Sequence, residues 1–185
     1  YMGNWIRELT KGDRAQLCGE VNSRVGSFLE TWPPLEKRWK PMLETPIRVE
    51  LAKGKVVLSG KVDLTLGSAG GNTAGKVIVD FKTGKFSPSH RDDLRFYALL
   101  DTIRIGVPPR LVASYYLDQG EFSPEEINLD VLESTIARVS NGITRLAELH
   151  LKIRPPSTQP GPPCRWCLLS QDCEAGQEYL ADISD

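Results

Sequence analysis

Two aspartates and a lysine on neighbouring predicted strands could hold a cation and direct a water molecule. Asp63 lies within the apolar run 56–66, while Asp80 ends the run 76–81 and Lys82 follows two positions later. Because side chains alternate across a strand, Asp80 and Lys82 point to the same face. Two carboxylates can hold a hard divalent cation through oxygen ligands. The ammonium can steady an attacking water or a phosphate oxygen, so the trio predicts cation-assisted hydrolysis.

Three cysteines near the C-terminus could converge on a soft metal. Cys164, Cys167 and Cys173 are separated by two and by five residues. Zinc accepts four thiolates, or three thiolates and an imidazole, whereas a cubane cluster usually has four cysteines. The fourth ligand would be Cys18 or one of the chain's two histidines. By itself, Cys18 is also consistent with a small buried core residue, and the other three with free structural thiols.

The elements that must position these residues follow from apolar periodicity and turn residues. We expect Asp13 and Asp130 to be helix N-caps, the stripe Leu132 to Leu146 to face the core, and residues 67–75 to form a flexible surface loop. Strand 77–80 is apolar enough to be buried on both faces. The predicted helices cover 14–30, 87–105, 130–146 and 175–181, and the predicted strands 46–52, 56–66, 77–80, 111–117 and 122–129.

Length and composition are those of one ordinary globular domain of 185 residues. The net charge of −1 argues mildly against a large non-specific DNA surface. No apolar run approaches the roughly 18 residues of a membrane span, and no signal peptide is visible, so we expect a cytoplasmic protein. Tyr1-Met2 reads as the start of a fragment. We expect a core over residues 1–153, with a proline-rich link and cysteine tail over 154–185 packed on it.

The motifs G-K-V-D at 60–63 and V-D-F-K-T-G-K at 79–85 resemble the PD-(D/E)XK nuclease superfamily, in particular its RecB-like branch. The C-x2-C-x5-C tail resembles the iron–sulfur cysteines of AddB-type and CRISPR-associated RecB-like nucleases. The resemblance covers roughly residues 45–180. It implies an α/β fold with a restriction-endonuclease-like core, in which helices flank a mixed central sheet.

The resemblance also assigns roles within the site. Asp63, Asp80 and the Phe81 backbone carbonyl would bind Mg2+ or Mn2+, and Lys82 would orient or activate the attacking water. Tyr97 matches the tyrosine of a Gln-x-x-x-Tyr pair that related enzymes carry on the following helix. Asp93 stands where that pair has glutamine.

Two expectations concern the N-terminal helix. Related enzymes often place a metal-binding histidine there, four residues after a glycine, but Ser23 stands at that spacing from Gly19. Glu20 is the best chemical replacement. In the family, one cluster cysteine precedes the nuclease core, which makes Cys18 the fourth ligand of a 4Fe-4S cluster; Zn2+ is the alternative occupant.

The function implied is a metal-dependent DNA nuclease of exonuclease type, acting in DNA repair, recombination or defence. Its partners would be single-stranded DNA or duplex ends, and a helicase or another repair subunit. Candidate phosphate contacts are Lys85, Arg91 and Arg95. The missing histidine and Asp93 support an alternative, a nuclease-like module that binds DNA without cleaving it. The near-neutral charge supports a third, a metal-stabilised interaction domain without a nucleic-acid partner.

Overall fold

A computed structural model describes residues 2–70 and 75–183, with side chains from residue 5 onward in the first helix. The nine predicted helices and strands are all present there, and a short N-terminal helix is added. Part of the predicted loop, residues 71–74, lies outside the described residues. The helices are α1 (Met2–Glu8), α2 (Lys11–Thr31), α3 (Pro88–Ile105), α4 (Leu129–His150) and α5 (Glu174–Asp182). The strands are β1 (Met42–Leu51), β2 (Val56–Leu66), β3 (Val77–Lys82), β4 (Leu111–Tyr116) and β5 (Glu121–Glu126).

The five strands form one mixed sheet in the order β1-β2-β3-β4-β5. The pairs β1–β2, β2–β3 and β4–β5 are antiparallel. Strands β3 and β4 are parallel, so the chain must cross over between them, and α3 is that crossover. The expected mixed central sheet flanked by helices is therefore confirmed.

Strand β3 is buried on both faces, as its apolar run predicts. On one face Ile78 packs with Val62, Leu94 and Ala98, so α3 covers this side of the sheet. We call this face the α3 side. On the opposite face Val79 packs in a second apolar cluster. The central position of β3 fixes the two chemically important side chains at its C-terminal end.

The second face, here called the α2 side, is covered by Trp32 at the end of α2, which packs on aromatic rings of the sheet. The Trp32 ring lies 4.8 Å from the Tyr115 ring and 5.2 Å from the Phe81 ring, measured between centroids. No residue within α2 itself is buried. Cys18 is exposed, so its interpretation as a buried core residue is wrong.

Both predicted N-caps are wrong by a few residues. Thr10 caps α2, where its hydroxyl accepts a hydrogen bond from the Asp13 backbone N–H and donates one to the Asp13 carboxylate. Thr10 is therefore the N-cap, and Asp13 is the third helical residue. At α4, the Asn128 side chain accepts from the Val131 backbone N–H. Asp130 therefore lies inside the first turn of that helix.

The apolar stripe of α4 is also less buried than expected. Leu132 and Thr135 are the buried residues of this helix. Ile136 is 49% exposed and Leu146 68% exposed, so most of the stripe is not core. Periodicity identified the helix correctly but not the face that is covered.

The chain divides into two compact units, Tyr1–Ser140 and Asn141–Asp185. The first contains the sheet with α1, α2 and α3. The second contains the end of α4, the proline-rich link and α5, and so includes the predicted tail. The predicted boundary at 153/154 and the packing of the tail on the core stay predictions. Among the helices described, none is long and apolar enough to cross a membrane.

Candidate active site

Lys82 forms the centre of a charged cluster at the C-terminal end of β3. Its Nζ lies 2.7 Å from Asp80 Oδ2 and 3.6 Å from an Asp93 carboxylate oxygen. Asp80 and Lys82 share a face because they are two residues apart on a strand, as predicted. Asp93 reaches them from the second turn of α3. The Asp80 side chain is 8% exposed and that of Lys82 21%, so the lysine remains accessible from solvent.

Asp63 lies where strand β2 departs from regular alternation. Val62 packs on the α3 side and Leu64 on the α2 side, although residues two apart on a regular strand share a face. Across from Asp63 on β1, Glu44 has a φ of 52°, in the left-handed region. Asp63 lies between these two positions, so the direction of its side chain does not follow from alternation along β2.

The Asp63 carboxylate meets β3 beside Asp80. Strands β2 and β3 pair up to Leu64 and Val79, and one further step in that register places Asp63 across from Asp80. Asp63 Oδ2 accepts a hydrogen bond of 2.9 Å from the Phe81 backbone N–H. The structure therefore brings Asp63, Asp80 and Lys82 to one place, together with the Phe81 backbone.

Tyr97 joins this cluster because residue 60 has no side chain. A Cβ atom placed at Gly60 would lie 2.5 Å from Tyr97 Cε1, so the ring rests directly on the β2 backbone. Asp93 and Tyr97 lie one helical turn apart and face the same site. The glycine of the G-K-V-D motif thus has a physical role, which is to admit the Tyr97 ring.

The charges of the cluster shift the pKa values of its members. Burial raises the pKa of Asp80; Lys82 partly offsets this, while Asp63 and Asp93 add to it. Burial alone would lower the pKa of Lys82, but Asp80 and Asp93 outweigh burial and raise it. Burial, with Asp80 next, raises the pKa of Tyr97. At neutral pH, Lys82 is therefore an ammonium and Tyr97 a protonated phenol, and both are hydrogen-bond donors.

The two carboxylates fit a divalent cation by chemistry and electrostatics. Asp80 Oδ2 is buried and, apart from the ion pair with Lys82, accepts no hydrogen bond of good geometry. The Asp63 charge raises the pKa of Asp80, a repulsion that a cation would relieve. Mg2+ and Mn2+ favour carboxylate oxygens. Among the described residues, 2–70 and 75–183, no group of three His, Cys, Asp or Glu side chains lies close enough together to hold a metal ion.

Two residues beside the site were not predicted. Tyr116 is the direct partner of Lys82 in the parallel β3–β4 register. Its hydroxyl lies 3.1 Å from Nδ1 of His90, in the first turn of α3. No pattern within one strand identifies Tyr116, because it reaches the site only through the parallel register of β3 and β4.

A polar clamp fixes the loop after Lys82. Asp118 accepts hydrogen bonds of 2.7 Å from the Gly84 backbone N–H and from Arg24. The Arg24 hydrogen bond, followed by that of Gly84, lowers the pKa of Asp118. Since Arg24 lies on α2, the clamp ties that helix to the start of the β3–α3 connection.

The other predicted residues have surroundings of their own. Glu20 is one turn before Arg24 on α2 and accepts a hydrogen bond from Gln16. Lys85 lines a cavity next to the site. Arg91 is exposed on α3. Their proposed roles in metal or phosphate binding stay predictions.

Arg95 already has a strong partner. Its guanidinium pairs with both oxygens of Glu125, at 2.9 and 2.5 Å. This bidentate ion pair joins α3 to the edge strand β5. A phosphate would have to compete with Glu125 for Arg95, and the predicted contact remains untested.

Most of the sequence, including these site residues, matches one family of known proteins. The sequence model of the PD-(D/E)XK nuclease superfamily matches residues 5–174. The chain belongs to this superfamily. Enzymes of the PD-(D/E)XK type generally use Mg2+ or Mn2+, and DNA is the substrate that the family implies. No curated protein matches the chain significantly.

Two solved structures resemble this PD-(D/E)XK domain. The crystal structure of SSO0001 is 20% identical, with 83% of this chain and 67% of that chain covered and a TM-score of 0.46. A Eubacterium rectale protein named "Putative exonuclease" is 13% identical, with a TM-score of 0.51. The match covers 91% of this chain and spans 61% of the Eubacterium rectale protein. At 13% identity, the likeness to the Eubacterium rectale protein shows the fold alone.

In the C-terminal unit, two of the three cysteines converge. Cys164 lies in a 3-10 turn and Cys173 directly precedes α5. A Cβ atom at Gly176 would lie 3.4 Å from the Cys173 sulfur and 3.7 Å from the Cys164 sulfur. Both sulfurs therefore face the same bare stretch of backbone. The Gly161 backbone N–H also donates to Cys164 Sγ at 3.4 Å.

The third cysteine of the motif is more exposed to solvent than the other two. Cys167 is exposed, whereas Cys164 and Cys173 are partly buried, and all three are free thiols. The donor set suits a soft metal or an iron–sulfur cluster. The cluster, the zinc alternative and the role of Cys18 stay predictions.

A larger cavity of about 560 Å³ lies elsewhere, on the α2 side of the sheet. It is lined by Trp32, Trp39 and apolar residues near the start of β3, including Val77. The charged cluster lies at the other end of β3 and on the other face. This cavity therefore has no part in the candidate active site.

Proposed function

We propose that this domain is a Mg2+- or Mn2+-dependent deoxyribonuclease that hydrolyses phosphodiester bonds at Lys82. One observation carries the proposal: Lys82 lies 2.7 Å from the buried Asp80, with the Asp63 carboxylate across from Asp80. An acid pair and an amine at adjoining strand ends fit cation-assisted hydrolysis better than any other chemistry on this sheet.

Asp63 and Asp80 would hold the cation, with the Phe81 carbonyl as a further oxygen ligand and Glu20 as a more distant candidate. When bound, the cation supplies positive charge that stabilises charge building on the phosphoryl and leaving oxygens. The charge of Asp63, which adds to the raised pKa of Asp80, supports this assignment, because a cation held by both carboxylates would relieve their repulsion.

Lys82 would act as a cation and a donor. Because its pKa is raised, it keeps its protons at neutral pH and hydrogen-bonds the attacking water or a phosphoryl oxygen. It orients the water but does not remove a proton from it. Asp93, 3.6 Å from Nζ, helps to hold the ammonium in place.

Tyr97 would donate a hydrogen bond from its phenol to a phosphate oxygen. Its raised pKa keeps the hydroxyl protonated through neutral pH. The ring is fixed against Gly60, so the hydroxyl would need little reorganisation during the reaction.

The same proposal includes exonuclease action and membership of the RecB-like branch. It also includes a role in DNA repair, recombination or defence, beside a helicase or another repair subunit. They rest on the motif order G-K-V-D, D-F-K-T-G and C-x2-C-x5-C. We also propose that Cys164, Cys167 and Cys173, with Cys18, ligate a 4Fe-4S cluster. The two sulfurs facing Gly176 support this assignment.

The cluster is tested by the visible spectrum and iron content of anaerobically purified protein. An iron–sulfur centre gives a brown protein with a broad shoulder at about 400 nm, which Cys173→Ser should weaken or abolish. Colourless protein with bound zinc would favour Zn2+, and colourless metal-free protein would leave three structural thiols.

Cleavage is tested with end-labelled linear DNA, single-stranded and duplex, in Mg2+, Mn2+ or EDTA. We expect products with either cation and none in EDTA, with Asp80→Asn inactive and still folded by circular dichroism. DNA binding without cleavage in any divalent cation would instead favour the binding-only module. Failure to bind either DNA would favour an interaction domain.

A further inference from the structure

A cavity of about 380 Å³ opens beside Lys82 on the α3 side of the sheet. Residues paired directly across neighbouring strands share a face of the sheet. Lys82 on β3 pairs with Tyr116 on β4, and Tyr116 pairs with Glu121 on β5, so all three lie on the α3 side. Neighbouring strands are about 4.8 Å apart, so the cavity begins one strand away from the cluster. Its lining includes Lys85, Phe86, Tyr116, Gln119, Glu121 and Phe122.

One exposed aromatic ring, that of Phe86, forms a wall of this cavity. Phe86 is 55% exposed, and its ring lies 6.2 Å from the Tyr116 ring, at an interplanar angle of 53°. The Phe122 ring packs instead on the α2 side, 5.1 Å from the Trp32 ring and 4.8 Å from the Tyr115 ring. An exposed phenyl ring beside Lys85, next to a proposed phosphodiester-cleaving centre, provides a face on which an unpaired base can stack.

The charges of the lining separate a position for a base from a position for a phosphate. Glu121 lies on the sheet beside Tyr116, and its carboxylate disfavours a phosphate there. The same carboxylate can accept hydrogen bonds from the exocyclic amine of cytosine or adenine. Lys85, on the β3–α3 connection, supplies a positive charge suited to the phosphate linked to such a base.

Neighbouring contacts hold the aromatic wall in place. The Tyr116 hydroxyl contacts His90 Nδ1 at 3.1 Å, and Tyr116 is 5% exposed. The Asp118 hydrogen bond to the Gly84 N–H fixes the chain two residues before Phe86. The platform is therefore largely formed before any ligand binds, which lowers the cost of binding.

We propose that this cavity binds one unstacked nucleobase of a single-stranded DNA segment, next to the phosphodiester positioned at Lys82. The inference rests on the proposed function and specifies its substrate. A base paired within a duplex cannot enter the cavity, because its face is stacked and its pairing edge is occupied. The cavity should therefore favour single-stranded DNA over duplex DNA.

Binding can be measured by fluorescence anisotropy with labelled single-stranded and duplex oligonucleotides, using Ca2+ in place of Mg2+. We expect Phe86→Ala to weaken single-strand binding about 5- to 150-fold, the value of one base–aromatic stack, and to leave duplex binding unchanged. Phe86→Trp should retain the affinity. Trp5→Ala is a matched control, since Trp5 is 53% exposed and lies on α1.

Removal of one base at a time identifies the position that stacks. An abasic substitution at a single position should weaken binding by the parent protein and should have no effect on Phe86→Ala. The inference is overturned if Phe86→Ala binds single strands as tightly as the parent, or weakens single-strand and duplex binding equally.

Parallel cleavage assays in Mg2+ distinguish the two possible failures. If the parent cleaves DNA while Phe86→Ala binds normally, the base site is wrong and the nuclease proposal stands. If the parent neither binds nor cleaves either DNA, both proposals fail.

Discussion

Substitution of Gly60 by alanine tests how the site is packed. An alanine Cβ would lie 2.5 Å from Tyr97 Cε1 and 3.1 Å from Cδ1. Carbon atoms in favourable contact are about 3.5–4.0 Å apart, so the ring must move by about 1 Å. Overpacking of this kind costs about 1–3 kcal/mol, and the gain of about 0.5–1 kcal/mol from replacing glycine in a strand offsets only part of it. We expect Gly60→Ala to lower the free energy of unfolding by about 1–2 kcal/mol.

A double-mutant cycle with Tyr97→Ala isolates this contact. Without the Tyr97 ring, the methyl group at position 60 enters vacated space, so Gly60→Ala should be neutral or stabilising by up to about 1 kcal/mol. The coupling between the two positions should therefore be about 1–3 kcal/mol. Urea unfolding of the parent, both single variants and the double variant measures it.

The same four proteins test the catalytic role of Tyr97. Gly60→Ala should slow DNA cleavage in the parent, because it displaces the phenol, and should slow it no further once Tyr97 is alanine. Gly19→Ala is the control: apart from the adjoining backbone of α2, no atom of the described residues lies within 4 Å of its Cβ position, and alanine should stabilise that helix by up to about 1 kcal/mol. An equal cost of Gly60→Ala with and without the Tyr97 ring would refute the packing argument.

Three further predictions concern charge. Lys76→Ala removes a 2.9 Å ion pair from Asp101, which is 1% exposed and keeps its 3.1 Å ion pair with Arg104, and should cost about 1.5–3 kcal/mol in urea unfolding; a loss below about 1 kcal/mol would contradict this. The pKa of Asp118 is lowered from 3.8, so its contribution to stability is present above pH 3.8 and is lost as the pH falls through the lowered value. Asp118→Asn should therefore flatten the acid limb of the urea midpoint against pH, and an unchanged limb would argue against the Arg24 clamp. Finally, Mg2+ at 100 times its Kd should stabilise the parent by about 2.7 kcal/mol but not Asp80→Asn, as thermal melts can show; equal stabilisation of both would place the cation elsewhere.

Most features that depend on a local rule could be predicted from the sequence. Apolar periodicity and turn residues located nine helices and strands, and alternation along β3 placed Asp80 and Lys82 on one face. The four-residue spacing of Asp93 and Tyr97 likewise placed both side chains toward the site. These features depend on residues near each other in the chain.

Features that depend on a second strand or a distant contact escaped prediction. The orientation of Asp63 comes from an irregularity shared with Glu44 on another strand, which no pattern within β2 reveals. Tyr116 enters the site only through the parallel register with Lys82. The exposed part of the α4 stripe shows the same limit, because periodicity marks an apolar face but not what covers it.

The N-cap errors have a different origin. The hydroxyl of Thr10, not the carboxylate of Asp13, accepts from a backbone N–H of the first turn, although both residue types are favoured at N-caps. The side chain with the capping role was three residues earlier. At α4, Asn128 held the same role ahead of Asp130.

The most direct test of the site is the single-turnover rate of DNA cleavage in Mg2+ by Lys82→Ala and Lys61→Ala. Lys61 is a matched control: it lies in the G-K-V-D motif two residues from Asp63, is exposed, and pairs with Glu44. Loss of the Lys82 ammonium should slow cleavage by at least about 100-fold, as expected for a group that stabilises the transition state, while Lys61→Ala should match the parent. Equal rates for the two variants would contradict the assignment of Lys82 and, with it, the proposed site.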